Sequence, residues 1–308
     1  MTKSIMYHYV RPNDAVFKNL KKLNFENFKK QLDYFEGSYG IFNNSDLFDL
    51  FKFRKIKKGI ILTFDDGLSC HYNWVYNELV KREKTGVFYI PVGPFLNGKI
   101  LDVHRIHILL SVCKIELLYN FLLSIDLKDK IDTNKFEEFE KFTYTLQKND
   151  DKTLSIKRIL NYYLKYQYRE SIIDFLFQKF IDFKISVSEY YMSIKQLKEM
   201  SNNGMIIGSH TVNHKVLSKL NYEEQDYEIS NSIDFIENEI GYNSIKTFCF
   251  PYGGNHSFNK DSLEILEKNK CDFSFSVESK NITMKNLSNN LLRLPRFDCN
   301  QFLHGSPD

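Results

Sequence analysis

Short apolar runs rich in β-branched and aromatic residues recur along this chain, separated by segments with helical spacing, and no other feature constrains the fold as tightly. The runs are Ser4–Val10, Gly59–Phe64, Gly86–Val92, Met205–Gly208, Ile245–Phe250, Asp272–Val277 and Leu291–Phe297, each of strand length. Between them, Phe25–Phe35, Tyr72–Arg82, Ile194–Ser201, Tyr222–Ile240 and Asp261–Lys268 place apolar residues at helical intervals. Strands that alternate with helices pair in parallel through crossover connections. About seven such units fit a (β/α) barrel whose working face lies at the strand C-terminal ends. A doubly wound open sheet shows the same alternation, and periodicity alone does not separate the two.

From roughly 101 to 190 the alternation stops. Stretches such as IELLYNFLLSIDL and SIIDFLFQKFIDF keep helical spacing, with almost no glycine or proline. We read a helical insertion carried by a single domain spanning 1–308. Its role is either packing or a cap over the working face, where insertions often shape specificity.

Composition excludes several function classes. A formal charge of +3, from 42 basic against 39 acidic residues, is too small for a polyanion-binding surface, so no nucleic-acid partner is expected. The 27 phenylalanines and 19 tyrosines are accounted for by an aromatic core more readily than by a sugar-binding cleft. Five cysteines at 70, 113, 249, 271 and 299 lack the spacing of a zinc knuckle or redox pair, which suits reduced thiols. The opening MTKSIMYHYVRPND has no apolar run of signal length, and no stretch is long enough to span a bilayer. The expectation is a cytoplasmic protein.

Chemistry concentrates at three strand ends. The run Ile60–Phe64 stops abruptly in Asp65-Asp66-Gly67. Adjacent residues on a continuing strand would face opposite ways. A glycine-permitted turn would bring both carboxylates to one cavity, one to hold a metal and the other left free as a base. A solvated Asp-Gly turn has the same sequence. After the run MIIG comes Ser209-His210-Thr211-Val212-Asn213-His214. Its histidines at i and i+4 fall on one side of a helical turn, within reach of one ion. With an aspartate they make a common ligand set for a catalytic divalent metal. The third strand end is Phe250-Pro251-Tyr252-Gly253-Gly254, a turn whose backbone N–H could donate to a developing oxyanion.

The ordered set TFDDG (63–67), SHTVNH (209–214) and FPYG (250–253) resembles the polysaccharide deacetylase family, carbohydrate esterase family 4. IMYHYV (5–10) and LPRFD (294–298) resemble the first and a late strand of one branch. The resemblance spans 4–100 and 191–300. It implies a distorted (β/α)7 barrel and a metal held by Asp66, His210 and His214, zinc foremost, with Co2+, Ni2+ or Mn2+ as alternatives. It further implies Asp65 as general base and the Tyr252 N–H as part of an oxyanion hole, with Pro251 and Tyr252 lining the substrate site.

Two departures from the family pattern stand out. Many members carry an arginine two residues before the Pro-Tyr pair, where this chain has Cys249. Arg296 on the late strand is the candidate to supply the missing cation, with Asp298 to hold it. The family's late Leu-x-His, source of its general acid, has no clean match, since His304 in FLHG is one residue off. His8 is read as lining the site and His104 as a possible acid from the insertion. The expected reaction is metal-assisted removal of an N-acetyl group from an amino sugar, an intermediate of surface polysaccharide or glycolipid synthesis. A deformylase, an O-acetyl esterase and a saccharide-binding pseudoenzyme are the competing readings.

Overall fold

All six residues of the strand Gly59–Phe64 are buried, so this strand must be covered on both faces. The computed structural model, which describes residues 1–13, 17, 19–145, 147–242 and 245–307, shows how. The chain divides into two compact units, one of 1–12, 22–99 and 186–308, the other of 13–21 and 100–185.

In the first unit the elements run β1 (Thr2–Tyr7), α1 (Phe25–Ser38), α2 (Asn44–Phe53), β2 (Gly59–Phe64), a π-helical turn (His71–Tyr76) leading into α3 (Asn77–Lys81), β3 (Gly86–Ile90) and α4 (Gly93–Asn97). The second unit holds α5 (Asp102–Val112), α6 (Ile115–Ser124), α7 (Phe136–Phe142), α8 (Asp151–Arg158) and α9 (Tyr166–Phe180). The first unit resumes with α10 (Val187–Tyr190), α11 (Ile194–Asn202), β4 (Ile206–Ser209), α12 (Tyr222–Glu239), β5 (Thr247–Cys249), α13 (Lys260–Lys268), β6 (Phe273–Phe275), α14 (Met284–Asn289) and β7 (Phe297–Asp298).

Seven strands lie in the order β6-β5-β4-β3-β2-β1-β7, every pairing parallel. The two edges meet. Leu294 bridges Phe275, the Ser276 N–H donates to the Leu294 carbonyl at 2.9 Å, and three residues on Phe297 pairs with Ile5. The extended segment 294–298 thus touches both edges and closes a distorted (β/α)7 barrel; an open doubly wound sheet is excluded. Pro295, which has no N–H to give, lies where the segment passes from one neighbour to the other. The expected strand Leu291–Phe297 therefore begins late, and Leu291–Arg293 is a tight 3-10 turn.

Side chains alternate as the pleat requires. Ile60, Leu62 and Phe64 face outward with Phe88, Ile90 and Ile207, against Phe28, Leu32 and Phe35 of α1, Leu79 of α3 and Leu197 and Met200 of α11. Ile61 faces inward with Val87, Tyr89, Cys249, Phe275 and Leu294. Leu47, Leu50 and Phe51 of α2 join that inner set, Phe51 stacking on Phe273 with centroids 3.6 Å apart, so α2 plugs the strand N-terminal end. The C-terminal rim is left to the loops that carry the motifs. The second unit has its own core, with Ile106, Leu109, Leu118, Leu122, Leu160 and Leu176 among its members. Among the described residues no helix is long and apolar enough to cross a membrane.

Candidate active site

Asp65 continues the inward-facing series of β2, and the chain then turns at Asp66 itself. Asp66 has φ +83° and Gly67 φ +63°, so a left-handed pair, rather than glycine alone, brings both carboxylates to the rim. Each aspartate is only 2% exposed. The next turn is held from below, the Met192 N–H donating to the Gly67 carbonyl at 2.9 Å. The hydroxyls of Tyr9 and Tyr190 meet at 2.7 Å nearby. Burial, with the Asp66 charge as a smaller contribution, raises both phenols.

The His-x-x-x-His segment is not the helical turn its spacing suggested. It is an irregular loop in which Thr211 (φ +67°) and His214 (φ +54°) are both left-handed. The two imidazoles converge by that route, with ring centroids 4.8 Å apart. Their Nε2 atoms stand 3.6 Å (His210) and 3.4 Å (His214) from Asp66 Oδ1. His210 Nδ1–H donates to the Cys249 carbonyl at 2.7 Å, which fixes the tautomer and leaves the Nε2 lone pair aimed at Asp66, as an orienting partner does for a metal-binding histidine. Burial holds His210 below the usual imidazole range, although Asp65 and Asp66 oppose it.

This trio fits a divalent ion. Ligands about 2.0–2.2 Å from a tetrahedral zinc stand about 3.3–3.6 Å from one another, and the two separations from Asp66 Oδ1 fall in that range. A second cluster, Asp65, His210 and Cys249, also brings its donor atoms together, but a fixed cation already occupies it. Arg296 is fully buried and donates through Nη1 and Nη2 to the two Asp65 oxygens, both at 2.8 Å. It also reaches Cys249 Sγ at 2.9 Å and Thr63 Oγ1 at 3.1 Å. Burial pushes the Asp65 carboxyl up; the guanidinium outweighs it, with smaller help from His210 and His8, and leaves it below the ordinary carboxylate value. The Cys249 thiol, raised well above its usual range by burial, stays protonated.

Asp298 does not hold Arg296. Its carboxylate accepts instead from the Asn300 N–H at 3.0 Å, capping the turn after β7.

In the third loop Tyr252 (φ +62°) and Gly253 (φ +66°) form another left-handed pair. The Tyr252 ring lies edge-on to His214 with centroids 4.9 Å apart. Pro251 is buried beside it.

His8 follows β1 at the same rim and is half-buried. Its carbonyl accepts from His71 Nε2–H at 2.7 Å. His71 is fully buried, and burial drops it to about 4, so it is neutral. His104 lies in α5 of the second unit, fully buried, its ring 5.9 Å from that of His107. His304 is exposed.

Sequence reasoning passed over His71 and Glu228. The second had a visible signal, because Glu228 falls on the α12 face that also carries Gln225, Ile229, Ser232, Ile233 and Ile236, all buried. A carboxylate within such a stripe is not there for solvent. It accepts from the Asn213 backbone N–H at 2.6 Å and from Asn213 Nδ2 at 2.8 Å. Burial raises its carboxyl, with Asn213 opposing.

Comparison with known proteins bears on the same elements. Residues 168–274 match the polysaccharide deacetylase family, a range that includes both histidines and the Pro-Tyr turn. No curated protein matches. Among solved structures, a Streptococcus pyogenes deacetylase, PplD, determined with acetate, superposes with TM-score 0.59 at 17% identity, over 96% of this chain and 91% of that one. IcaB from Ammonifex degensii gives TM-score 0.55 at 15% identity, over 96% and 90%. A de-N-acetylase from Aggregatibacter actinomycetemcomitans gives 0.53 at 14%, over 96% and 94%. At such identities the likeness to these structures is one of fold. The chain is thus similar to the polysaccharide deacetylase family over residues 168–274, and to these solved structures in its fold.

Proposed function

We propose that this chain removes an acetyl group from the nitrogen of an amino sugar within a saccharide, using a divalent metal held by Asp66, His210 and His214. Zinc suits the two-imidazole, one-carboxylate set best, and Co2+, Ni2+ and Mn2+ are the alternatives. Such an ion would supply Lewis acidity toward the acetyl carbonyl and make water a better nucleophile at neutral pH. The observation that carries the reading is a second carboxylate, Asp65, locked by a bidentate guanidinium beside the trio and kept ionised.

Each step then belongs to a named group. Asp65 takes a proton from the attacking water. The Tyr252 N–H donates to the developing oxyanion. Protonated Asp65 passes that proton to the departing amine, so acetate and a free amino sugar leave and the proton count closes without His104. Arg296 orients the base, and His8, Pro251 and Tyr252 line the substrate. We read 1–308 as one catalytic domain with the helices of about 101–190 as an insertion. The five thiols, all unbridged, suit a reducing compartment, which favours a cytoplasmic sugar intermediate as substrate.

The test is product release from N-acetyl, N-formyl and O-acetyl saccharides by protein stripped with a chelator and then reloaded with zinc. Acetate from the N-acetyl substrates, lost on stripping and regained on reloading, supports the proposal. Formate, or acetate from O-acetyl groups alone, selects a deformylase or an esterase. Release that persists in the stripped protein refutes the metal mechanism.

A further inference from the structure

The loop that delivers both histidines holds two non-glycine residues in the left-handed region, Thr211 and His214. Such a conformation persists only where its surroundings over-determine it. From the β3 side, the Val92 and Gly93 N–H groups donate to the carbonyls of Thr211 and Val212 at 3.1 and 2.8 Å. Within the loop, the His214 N–H donates to Thr211 Oγ1 at 3.0 Å. Further restraints come from one residue of α12. The Glu228 carbonyl accepts from the Val212 N–H at 3.1 Å, and its two carboxylate oxygens accept from the backbone and side chain of Asn213. Glu228 is 1% exposed. A charge so deep is retained only with partners, and its nearest cation, Lys215, stays 3.8 Å away.

Asn213 immediately precedes His214, so the direction of its peptide decides where the His214 imidazole points. We propose that Glu228 is a positioning residue for the metal ligand His214: its carboxylate fixes the Asn213 backbone and side chain, and through them aims His214 Nε2 at Asp66. This rests on the reading of Asp66, His210 and His214 as metal ligands. Its consequence is specific. Loss of the clamp weakens the ion's hold and distorts its coordination, beyond any general loosening of the fold.

The experiment measures zinc dissociation constants by chelator competition on the full chain, together with the visible spectrum of the cobalt-substituted protein and the melting temperature of the metal-free form. Glu228→Ala is expected to bind zinc about 10- to 100-fold more weakly and to show an altered cobalt spectrum. Glu228→Gln stays close to wild type, because its Oε1 still accepts the Asn213 N–H and a flipped Asn213 amide can accept from its Nε2. Gln225→Ala is the control for fold alone. It sits on the same buried face, bonded to the Leu220 carbonyl and Ser262, so it should lower melting and leave zinc affinity unchanged. If Glu228→Ala fails to fold, Asn213→Ala removes the side-chain bond only, with an expected loss of about tenfold. Zinc affinity unaltered in Glu228→Ala, or in Asn213→Ala where that variant stands in, overturns the proposal. So does an equal loss in Gln225→Ala. If the wild-type chain takes up neither zinc nor cobalt, the ligand assignment itself is wrong, and the clamp falls with it for that separate reason.

Discussion

Replacing Arg296 with methionine should cost the fold about 3–5 kcal/mol near neutral pH, the usual consequence of leaving one member of a buried ion pair alone. The structure says why so much. The guanidinium is fully buried and Asp65 is 2% exposed, and both carboxylate oxygens are held by Arg296 at 2.8 Å. Methionine restores most of the volume but returns none of the hydrogen bonds to Asp65, Thr63 or the Ser276 carbonyl. Against a typical stability of about 5–15 kcal/mol, the loss is large. The penalty also has a pH signature. In the wild type Asp65 is held below its ordinary value, so its contribution is present above the unfolded carboxylate value of about 4 and fades as pH falls through the lower folded one. In the variant, burial outweighs the smaller opposing help of His210 and His8, and the folded value moves above the unfolded one. The cost is then full at high pH and shrinks as acid protonates Asp65. Urea unfolding of the chelator-treated proteins at about pH 8 and about pH 5 should show the gap between wild type and variant narrowing in acid. Asp65→Asn with Arg296→Met should be less damaging than the sum of the single changes by about 2–3 kcal/mol. A loss under about 1 kcal/mol at the higher pH, the scale of an exposed pair, or a gap that ignores pH, refutes the reasoning.

Three further outcomes separate the roles assigned above. His214→Ala should lose bound zinc, measured as metal per chain, whereas Asp65→Asn should keep the metal and lose turnover by about 10²- to 10⁴-fold, the range for a missing general base. Gly253→Ala should cost both stability and turnover, because its Cβ would stand 2.3 Å from Val277 Cγ2 at φ +66°; melting and acetate release read the two losses. Cys249→Arg alone should unfold readily, since it sets a second guanidinium against a pocket that Arg296 already fills. With Arg296→Ala added, part of the melting temperature should return, and failure to regain any would show that the cation cannot be delivered from β5.

The strands were legible because a fully buried parallel strand needs an unbroken apolar run, and β2, β3 and β4 supply one. The last strand was less so, since Pro295 divides its hydrogen bonds between two neighbours and a short extended segment has no periodicity to read. Asp65, Asp66, His210 and His214 announced themselves by standing directly after such runs. How they converge was not legible. Asp66, Thr211, His214 and Tyr252 all adopt positive φ without being glycine, and no propensity foretells that; it is imposed by partners such as Glu228, 14 residues beyond His214 in the sequence. Spacing suggested a helical turn for the histidines, and tertiary contacts overrode it.

The position of Arg296 ties the chemistry to the closure of the barrel. It sits on the segment that joins β6 to β1, and from there its guanidinium reaches Thr63 of β2, Cys249 of β5 and the carbonyl of Ser276 beyond β6. An arginine at 249 would reach the same carboxylate from within β5 and ask nothing of the last strand. With cysteine there, the proposed base Asp65 is oriented only when 294–298 is in place, since among the described residues that segment carries the one guanidinium that binds it. A cysteine small enough to admit the guanidinium, its thiol kept neutral by burial, leaves Asp65 as the anion that pairs with Arg296. The same ion pair therefore keeps Asp65 charged and helps fasten the final strand, so loosening 294–298 should disable the proposed base before the proposed metal ligands on the other loops are disturbed.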